Sequence, residues 1–306
     1  MGGSDSERGR EGGNAARLGP AERVRVYEQT LAAEYLRWMR SWVDRHPNAG
    51  FAAERVCGTE DAPGAVFAGP RDAVVTDCIG LGYDGAVTDE VMGRVEDLYE
   101  RLGSIPEFEC SPYADTTYLW QLERRGYTVC NYLQVFWRDL ADPPAARMEG
   151  VEVRAVDKSD EADVALAVRT IAAGMESVDG EPSEPGRVMA EQVASCPDNA
   201  TFLAFVDGRV AGGSSAGVWD RHPMSGPHVN LYGGSTLPWA RGRGVQAALM
   251  LERLRWAHGE GARTASLDCK PMISSESNAR RLGFELLCTK GVFVRDPEAH
   301  GPRKRV

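Results

Sequence analysis

The sequence predicts an α+β fold built from two tandem, similarly constructed units. Three observations lead there. Helix-like and strand-like apolar periodicities alternate from about Val24 to Arg295. A stiff spacer, Asp142-Pro143-Pro144-Ala145-Ala146, divides the chain near its middle. Matching landmarks recur in the two halves at nearly one offset.

Residues 1–20 are Gly, Ser, Arg and Glu with almost nothing apolar, so they are expected to be disordered. Val24, Tyr27, Leu31, Tyr35, Trp38, Met39 and Trp42 recur at helical spacing, and His46-Pro47 stops that helix. Residues 65–68 and 73–81 read as strands. Thr88 caps a helix that runs to Leu102 and closes at Gly103. A strand at 105–110, a helix at 115–125 and a strand at 127–137 complete the first half. The second half opens with a strand at 151–156, a helix at 160–172 capped by Ser159, and a helix at 187–194. Strands 201–206 and 209–218 flank Asp207-Gly208, a strong hairpin signal. Strand 228–236, a Gly/Arg loop, helix 245–258, strand 262–269, a helix near 277–282 and closing strands to Arg295 follow.

The repeat rests on specific residues. Glu109-Cys110-Ser111-Pro112 and Asp268-Cys269-Lys270-Pro271 each end a strand. Arg124-Arg125-Gly126-Tyr127 and Arg280-Arg281-Leu282-Gly283-Phe284 each close a helix on Gly and enter a strand on an aromatic residue. The division expected is a unit at 21–140, a linker at 141–150, a unit at 151–298 and a basic tail at 299–306. Because both copies carry acid-Cys-x-Pro, Cys110 and Cys269 read as buried strand-end residues.

Composition removes several function classes. A net charge of −10 argues against a nucleic-acid surface. No run of about 18 apolar residues could span a bilayer, and no signal peptide is present, so a cytoplasmic protein without membrane contact is expected. Seven scattered cysteines without a CxxC pair argue against a disulfide framework or a zinc site.

The chemistry concentrates at Arg241-Gly242-Arg243-Gly244-Val245-Gln246, between a strand and a helix. Glycines let successive N–H groups turn toward one point at a helix N-terminus, and the two Arg add positive charge, which makes a pyrophosphate cradle. Gly-Lys-Ser/Thr is missing and no GxGxxG follows a strand, so nucleotide hydrolysis and dinucleotide binding lose support. The segment resembles the GNAT N-acyltransferase superfamily. Arg241, Gly244 and the preceding Thr236-Leu237-Pro238 match its signature, whereas Gln246 replaces the last small residue. Ser275-Glu276-Ser277-Asn278-Ala279-Arg280-Arg281-Leu282-Gly283-Phe284 resembles its later Ser-x-x-Asn-x-x-x-x-Gly-Phe element.

The resemblance implies tandem GNAT-like domains, each a mixed, mostly antiparallel sheet with a splayed central strand pair flanked by helices. It implies acetyl-CoA or another acyl-CoA as donor, or phosphopantetheine on an acyl carrier protein, and a small-molecule amine as acceptor. Thr236, Leu237, Arg241, Gly242, Arg243, Gly244, Val245, Gln246, Ser275 and Asn278 are the cofactor-binding candidates, with the Leu237 amide as oxyanion donor. Candidates for acid and base are Glu176 (in a 174–184 loop), Tyr232, His228, Asp268 and Ser277, with a surface strand residue as the alternative reading of His228. The position where many family members carry a catalytic Tyr holds Ala279, which keeps a non-catalytic acyl-CoA-binding role open. Cys269 has no neighbouring His, so direct attack is preferred over an acyl-enzyme. At the equivalent junction the first half has Tyr83-Asp84-Gly85-Ala86-Val87-Thr88-Asp89-Glu90, without Arg and with three acids, so no CoA is expected there.

Overall fold

The computed structural model describes residues 18–295. The expected disorder of 1–20 falls almost wholly outside them, as does the 299–306 tail. In chain order the elements are α1 (Pro20–Arg45), β1 (Ala52–Gly58), β2 (Pro63–Ala68), β3 (Cys78–Ile79), α2 (Asp89–Leu102), β4 (Glu107–Cys110), α3 (Thr116–Arg124) and β5 (Thr128–Asp139). The second half adds β6 (Glu152–Ala155), α4 (Glu161–Glu176), α5 (Glu184–Ala194), β7 (Asn199–Val206), β8 (Arg209–Trp219), β9 (His228–Thr236), α6 (Val245–Gly259), β10 (Thr264–Cys269), α7 (Ser274–Arg281) and β11 (Glu285–Val294).

Local chemistry fixes most of these boundaries. Thr88 accepts the Val91 N–H at the start of α2, and Gly103, at φ 64°, ends it. Asp207 and Gly208 take φ of 52° and 73°, the pair of left-handed residues that a two-residue hairpin requires. Helix α4 is capped by Asp160 and not by Ser159. The Asp160 carboxylate accepts from Ala162 and Asp163, while the Ser159 hydroxyl is turned to Asp157. Strand β1 was not foreseen, and of the 73–81 stretch only Cys78–Ile79 is paired as strand.

The strands form one mixed sheet in the order β1-β2-β3-β4-β11-β5-β10-β9-β8-β7-β6. Each half keeps its own parallel pair, β3/β4 and β9/β10, among otherwise antiparallel neighbours. The last strand of each half crosses over. Strand β11 pairs with β4 of the first half, and β5 pairs with β10 of the second. The two exchanged strands pair with each other from Glu285–Trp137 to Val294–Thr128. The two expected sheets are therefore continuous, because the exchange leaves neither half an open inner edge.

Helix α1 explains how the sheet curves. Its buried residues lie on all sides, from Val24 through Tyr27, Glu28, Leu31 and Glu34 to Trp38 and Trp42. Its Tyr35 ring lies 5.5 Å from Phe67 on β2 and 6.1 Å from Tyr232 on β9, strands that are six positions apart in the sheet order. The sheet therefore wraps around this helix. The wrap is latched where Trp219 Nε1 on β8 donates to the Asp61 carbonyl in the β1–β2 turn at 3.0 Å. Helices α2 and α3 pack with Val66 and Cys78 on the outer face, where α6 covers Ala216, Val229 and Ala265. No helix among the described residues is long and apolar enough to cross a membrane.

Candidate active site

Strands β9 and β10 are paired only through Thr264–His228, Ala265–Val229 and Ser266–Asn230. Beyond Asn230 and Ser266 they diverge, and the opening leads toward the loop 241–244. Within β9 the register slips opposite Gly213/Ser215, at Gly233 and Gly234. The buried Arg253 of α6 fills that irregularity, donating to the Ser215 and Tyr232 carbonyls at 3.0 and 3.2 Å. Burial lowers its pKa to about 9.

The cradle has the expected backbone. Gly242 and Gly244 take φ of 77° and 80°, and no side chain caps α6, which starts at Val245. The first N–H groups of a helix have no partner within it, so these amides and the helix dipole favour an anion. Arg241 donates to Ser177 Oγ at 2.6 Å, and Arg243 pairs with Asp207 at 2.7 Å. Both are exposed and can swing to a ligand. The linker covers this helix: Arg255 donates to the Pro144 carbonyl at 3.0 Å, and a Cβ on Gly244 would come within 2.8 Å of Met148 Cε.

Gln246 has a structural reason for replacing a small residue. Its Nε2 donates to Ser275 Oγ at 2.7 Å and its Oε1 accepts from Asn278 Nδ2 at 2.5 Å, tying the start of α6 to α7. The side chains of Gln246, Ser275 and Asn278 thus join as candidates but bond one another. The Leu237 amide is not free for an oxyanion, because it donates to the Ala211 carbonyl of β8 at 2.9 Å. Successive amides along a strand face opposite edges, which turns the Thr236 N–H toward the opening.

The acid–base candidates separate. Glu176 is the last residue of α4 and not a loop residue. It accepts the Ser183 N–H at 2.8 Å and the Ser183 hydroxyl, and so is committed to the start of α5. Ser277 is exposed on α7. Tyr232 lies on the inner face and gives its hydroxyl proton to Asn199 Oδ1 at 2.9 Å. Asp268 accepts from Tyr27 of α1 at 2.5 Å. His228 is fully buried, not on the surface. It stacks on Trp137, with its ring nitrogens 2.8 Å from the Thr264 and Ser266 hydroxyls, and burial holds it near 3, neutral at any working pH. Burial pushes the Cys110 and Cys269 thiols up to about 12, which removes the thiolate that an acyl-enzyme needs.

Two buried carboxyls of α1, Glu28 and Glu34, escaped the sequence. Glu28 of α1 and Glu109 of β4 flank Lys290 of β11 at 3.2 and 2.5 Å, and Lys290 also donates to Tyr27 at 3.0 Å. The repeated acids Glu109 and Asp268 thus meet in one network through Lys290 and Tyr27. Glu34, also on α1, accepts from Asn230 Nδ2 at 3.2 Å at the point where β9 and β10 part. The signal that could have revealed them was the run Glu28-Gln29-Thr30 beside Leu31 and Glu34 beside Tyr35, polar residues inside an apolar stripe. Between the halves, a cleft of about 260 Å³ is lined by Trp42, Phe51, Asp72, Met189 and Gln192, among others.

A parallel pair that parts toward an uncapped, glycine-flanked helix start is an arrangement suited to a ligand that carries a phosphate on an extended arm. Residues 170–284 match the acetyltransferase (GNAT) family model, so the second half carries a GNAT acetyltransferase domain and the chain is an acyltransferase. The whole chain has the fold of a GCN5-related N-acetyltransferase from Kribbella flavida: TM-score 0.56, 16% identity, 86% of this chain and 95% of that one covered. It is similar in the same way to a tandem GNAT protein from the clavulanic acid biosynthesis pathway, with TM-score 0.54, 14% identity, and 90% and 95% coverage. No curated protein matches the sequence significantly.

Proposed function

We propose that the chain moves an acetyl or other small acyl group from an acyl-CoA to the amine of a small metabolite by direct attack. The observation that carries this reading is the asymmetry of the two strand-to-helix junctions. In the second half the α6 start is uncapped and flanked by Arg241 and Arg243. In the first half the Val87 N–H is taken by Thr117 Oγ1 at 2.8 Å, the Val91 N–H by Thr88, and Asp84 is bound by Arg25 at 2.6 Å. The unit at 21–140 thus binds no CoA, and 151–298, joined through 141–150, holds the one CoA site. In this reading CoA lays its pyrophosphate on the α6 start, and the pantetheine arm fills the gap between β9 and β10. The thioester oxygen accepts from the Thr236 N–H. The acceptor enters by the cleft at Trp42, and the first half encloses it.

Native mass spectrometry with acetyl-CoA and longer acyl-CoAs tests this against Arg241→Ala/Arg243→Ala. One CoA per chain, bound at least tenfold more weakly by the double variant, supports it. Two CoA molecules per chain would overturn the single-site reading. No binding of free CoA would move the donor to a carrier-protein pantetheine. Binding without turnover of any amine would leave a non-catalytic acyl-CoA-binding role.

A further inference from the structure

Three residues of α1, Tyr27, Thr30 and Glu34, are spaced three and four apart and so share one helical face. That face lies over the point where β9 and β10 part. Tyr27 donates to Asp268 on β10, while Asn230 on β9 donates to Thr30 Oγ1 at 3.1 Å and to Glu34 Oε1 at 3.2 Å. Asn230 in turn accepts from Ser266 at 2.6 Å, and Ser266 meets His228. Asp268 is therefore engaged, whereas Glu34 Oε2, on a residue that is 0% exposed, has beside it among the described residues only the Tyr232 hydroxyl, whose proton goes to Asn199. A Cβ on Gly217 would come within 2.5 Å of both this oxygen and the Tyr232 hydroxyl, so glycine lets the carboxyl pack directly against the backbone of β8. A buried carboxyl oxygen without a partner carries a desolvation cost, which a bound donor would offset.

Resting on the acyl-transfer reading above, we propose that Glu34, supplied by the first half, is the general base that takes a proton from the acceptor amine in the second half's site. The reaction balances as follows. The acceptor arrives as an ammonium and gives one proton to the Glu34 carboxylate. The freed nitrogen lone pair forms the bond to the thioester carbon, and the carbon–sulfur bond breaks. The sulfur leaves with the bonding pair and receives the second nitrogen proton, giving the amide and the free thiol. Glu34 then releases its proton to solvent.

The electrostatics suit a base working near neutrality. Burial pushes the Glu34 carboxyl up to about 8, against the pull of Arg37 and of the Asn230 and Tyr232 side chains. Arg37, on the same helix, is the charge that faces it, and Asp198 lies 3.7 Å from Arg37. From β9, Tyr232 stays a neutral phenol because burial raises it well above 10. From β8, Gly217 brings only backbone, and His228, two residues further along the chain of hydrogen bonds, is neutral.

The test compares two nucleophiles with acetyl-CoA: methylamine, which is an ammonium near pH 7, and hydroxylamine, which is largely unprotonated there. Glu34→Gln, close to isosteric, is expected to bind acetyl-CoA like the parent and to slow acetyl transfer to methylamine by about 10²–10⁴-fold. Transfer to hydroxylamine should stay within severalfold. In the parent, kcat/KM for methylamine should rise with pH to a bend near 8, and in Glu34→Gln the rise should move to the amine's own ionisation, roughly pH 10. Equal loss toward both nucleophiles, an unmoved pH profile, or a parent that binds acetyl-CoA yet acetylates neither would each overturn the assignment. Should Glu34→Gln fail to fold, the absence of a bend near 8 in the parent would do the same. A parent that does not bind acetyl-CoA at all would instead remove the underlying acyl-transfer reading.

Discussion

At the scale of single residues, buried carboxyls set how the fold responds to pH. Glu34 is raised to about 8 and Glu109 to about 7, both chiefly by burial, with Asp268 and Glu28 also raising Glu109 and Lys290 opposing. An acid whose folded pKa exceeds its unfolded value binds its proton more tightly when folded. Its stabilising contribution is complete below about pH 4.5 and is lost as pH rises through the folded pKa. The parent is therefore expected to lose stability between about pH 5 and 8. Glu34→Gln should remove a share of that loss of order 4 kcal/mol, since one pKa unit corresponds to about 1.4 kcal/mol. Urea unfolding at pH 5, 7 and 9 checks this, and parallel curves for parent and variant would refute it. Gly244 gives a second expectation at this scale. Its φ of 80° strains any side chain, a β-branched one most, so Gly244→Val should weaken CoA binding at least tenfold by calorimetry. The glycines of this loop were legible in the sequence, because the conformation they permit is local. The commitments of Leu237, Glu176 and Gln246 were not, since each depends on a partner brought from another element.

At the scale of elements, α1 separates what periodicity can tell from what it cannot. The apolar spacing from Val24 to Trp42 identified the helix, and Pro20–Arg45 encloses that span. Periodicity assumes one wet face, however, and this helix has almost none, so the apolar spacing alone does not place Glu28 and Glu34, which are 1% and 0% exposed. The short β1 was missed for the opposite reason: its half-buried residues show no alternation. The buried network yields a prediction for this element. Lys290 is the cation between Glu28 and Glu109, so Lys290→Met leaves carboxylates without their partner and should cost about 3–5 kcal/mol. Adding Glu109→Leu removes one of the stranded charges and should recover part of the loss. Thermal unfolding of the single and double variants measures this, and a double variant less stable than Lys290→Met alone would count against a net-acidic network.

At the scale of the whole molecule, the repeat was legible because duplication leaves its landmarks in order, Glu109-Cys110 beside Asp268-Cys269. The exchange of β5 and β11 was not, because a strand's pattern specifies which face it buries and not which strand it joins. Pairing with a partner more than a hundred residues away is a tertiary choice, made here by β11 against both β4 and β5. The exchange implies that the second half cannot be complete by itself. Without β5, strand β10 loses its antiparallel partner from Thr264–Asp139 to Cys269–Gln134, and β11 has no neighbour on either side. Glu34, Thr30 and Tyr27 are lost with α1. A fragment of residues 146–306 is therefore expected to aggregate or to dimerise by pairing its open edges. Produced together with residues 18–145, it should form a one-to-one complex that recovers acetyl-CoA binding, read by size-exclusion chromatography and native mass spectrometry. A monomeric 146–306 fragment that binds acetyl-CoA as the intact chain does would show that the second half completes its own sheet, and that the first half is dispensable for holding the donor.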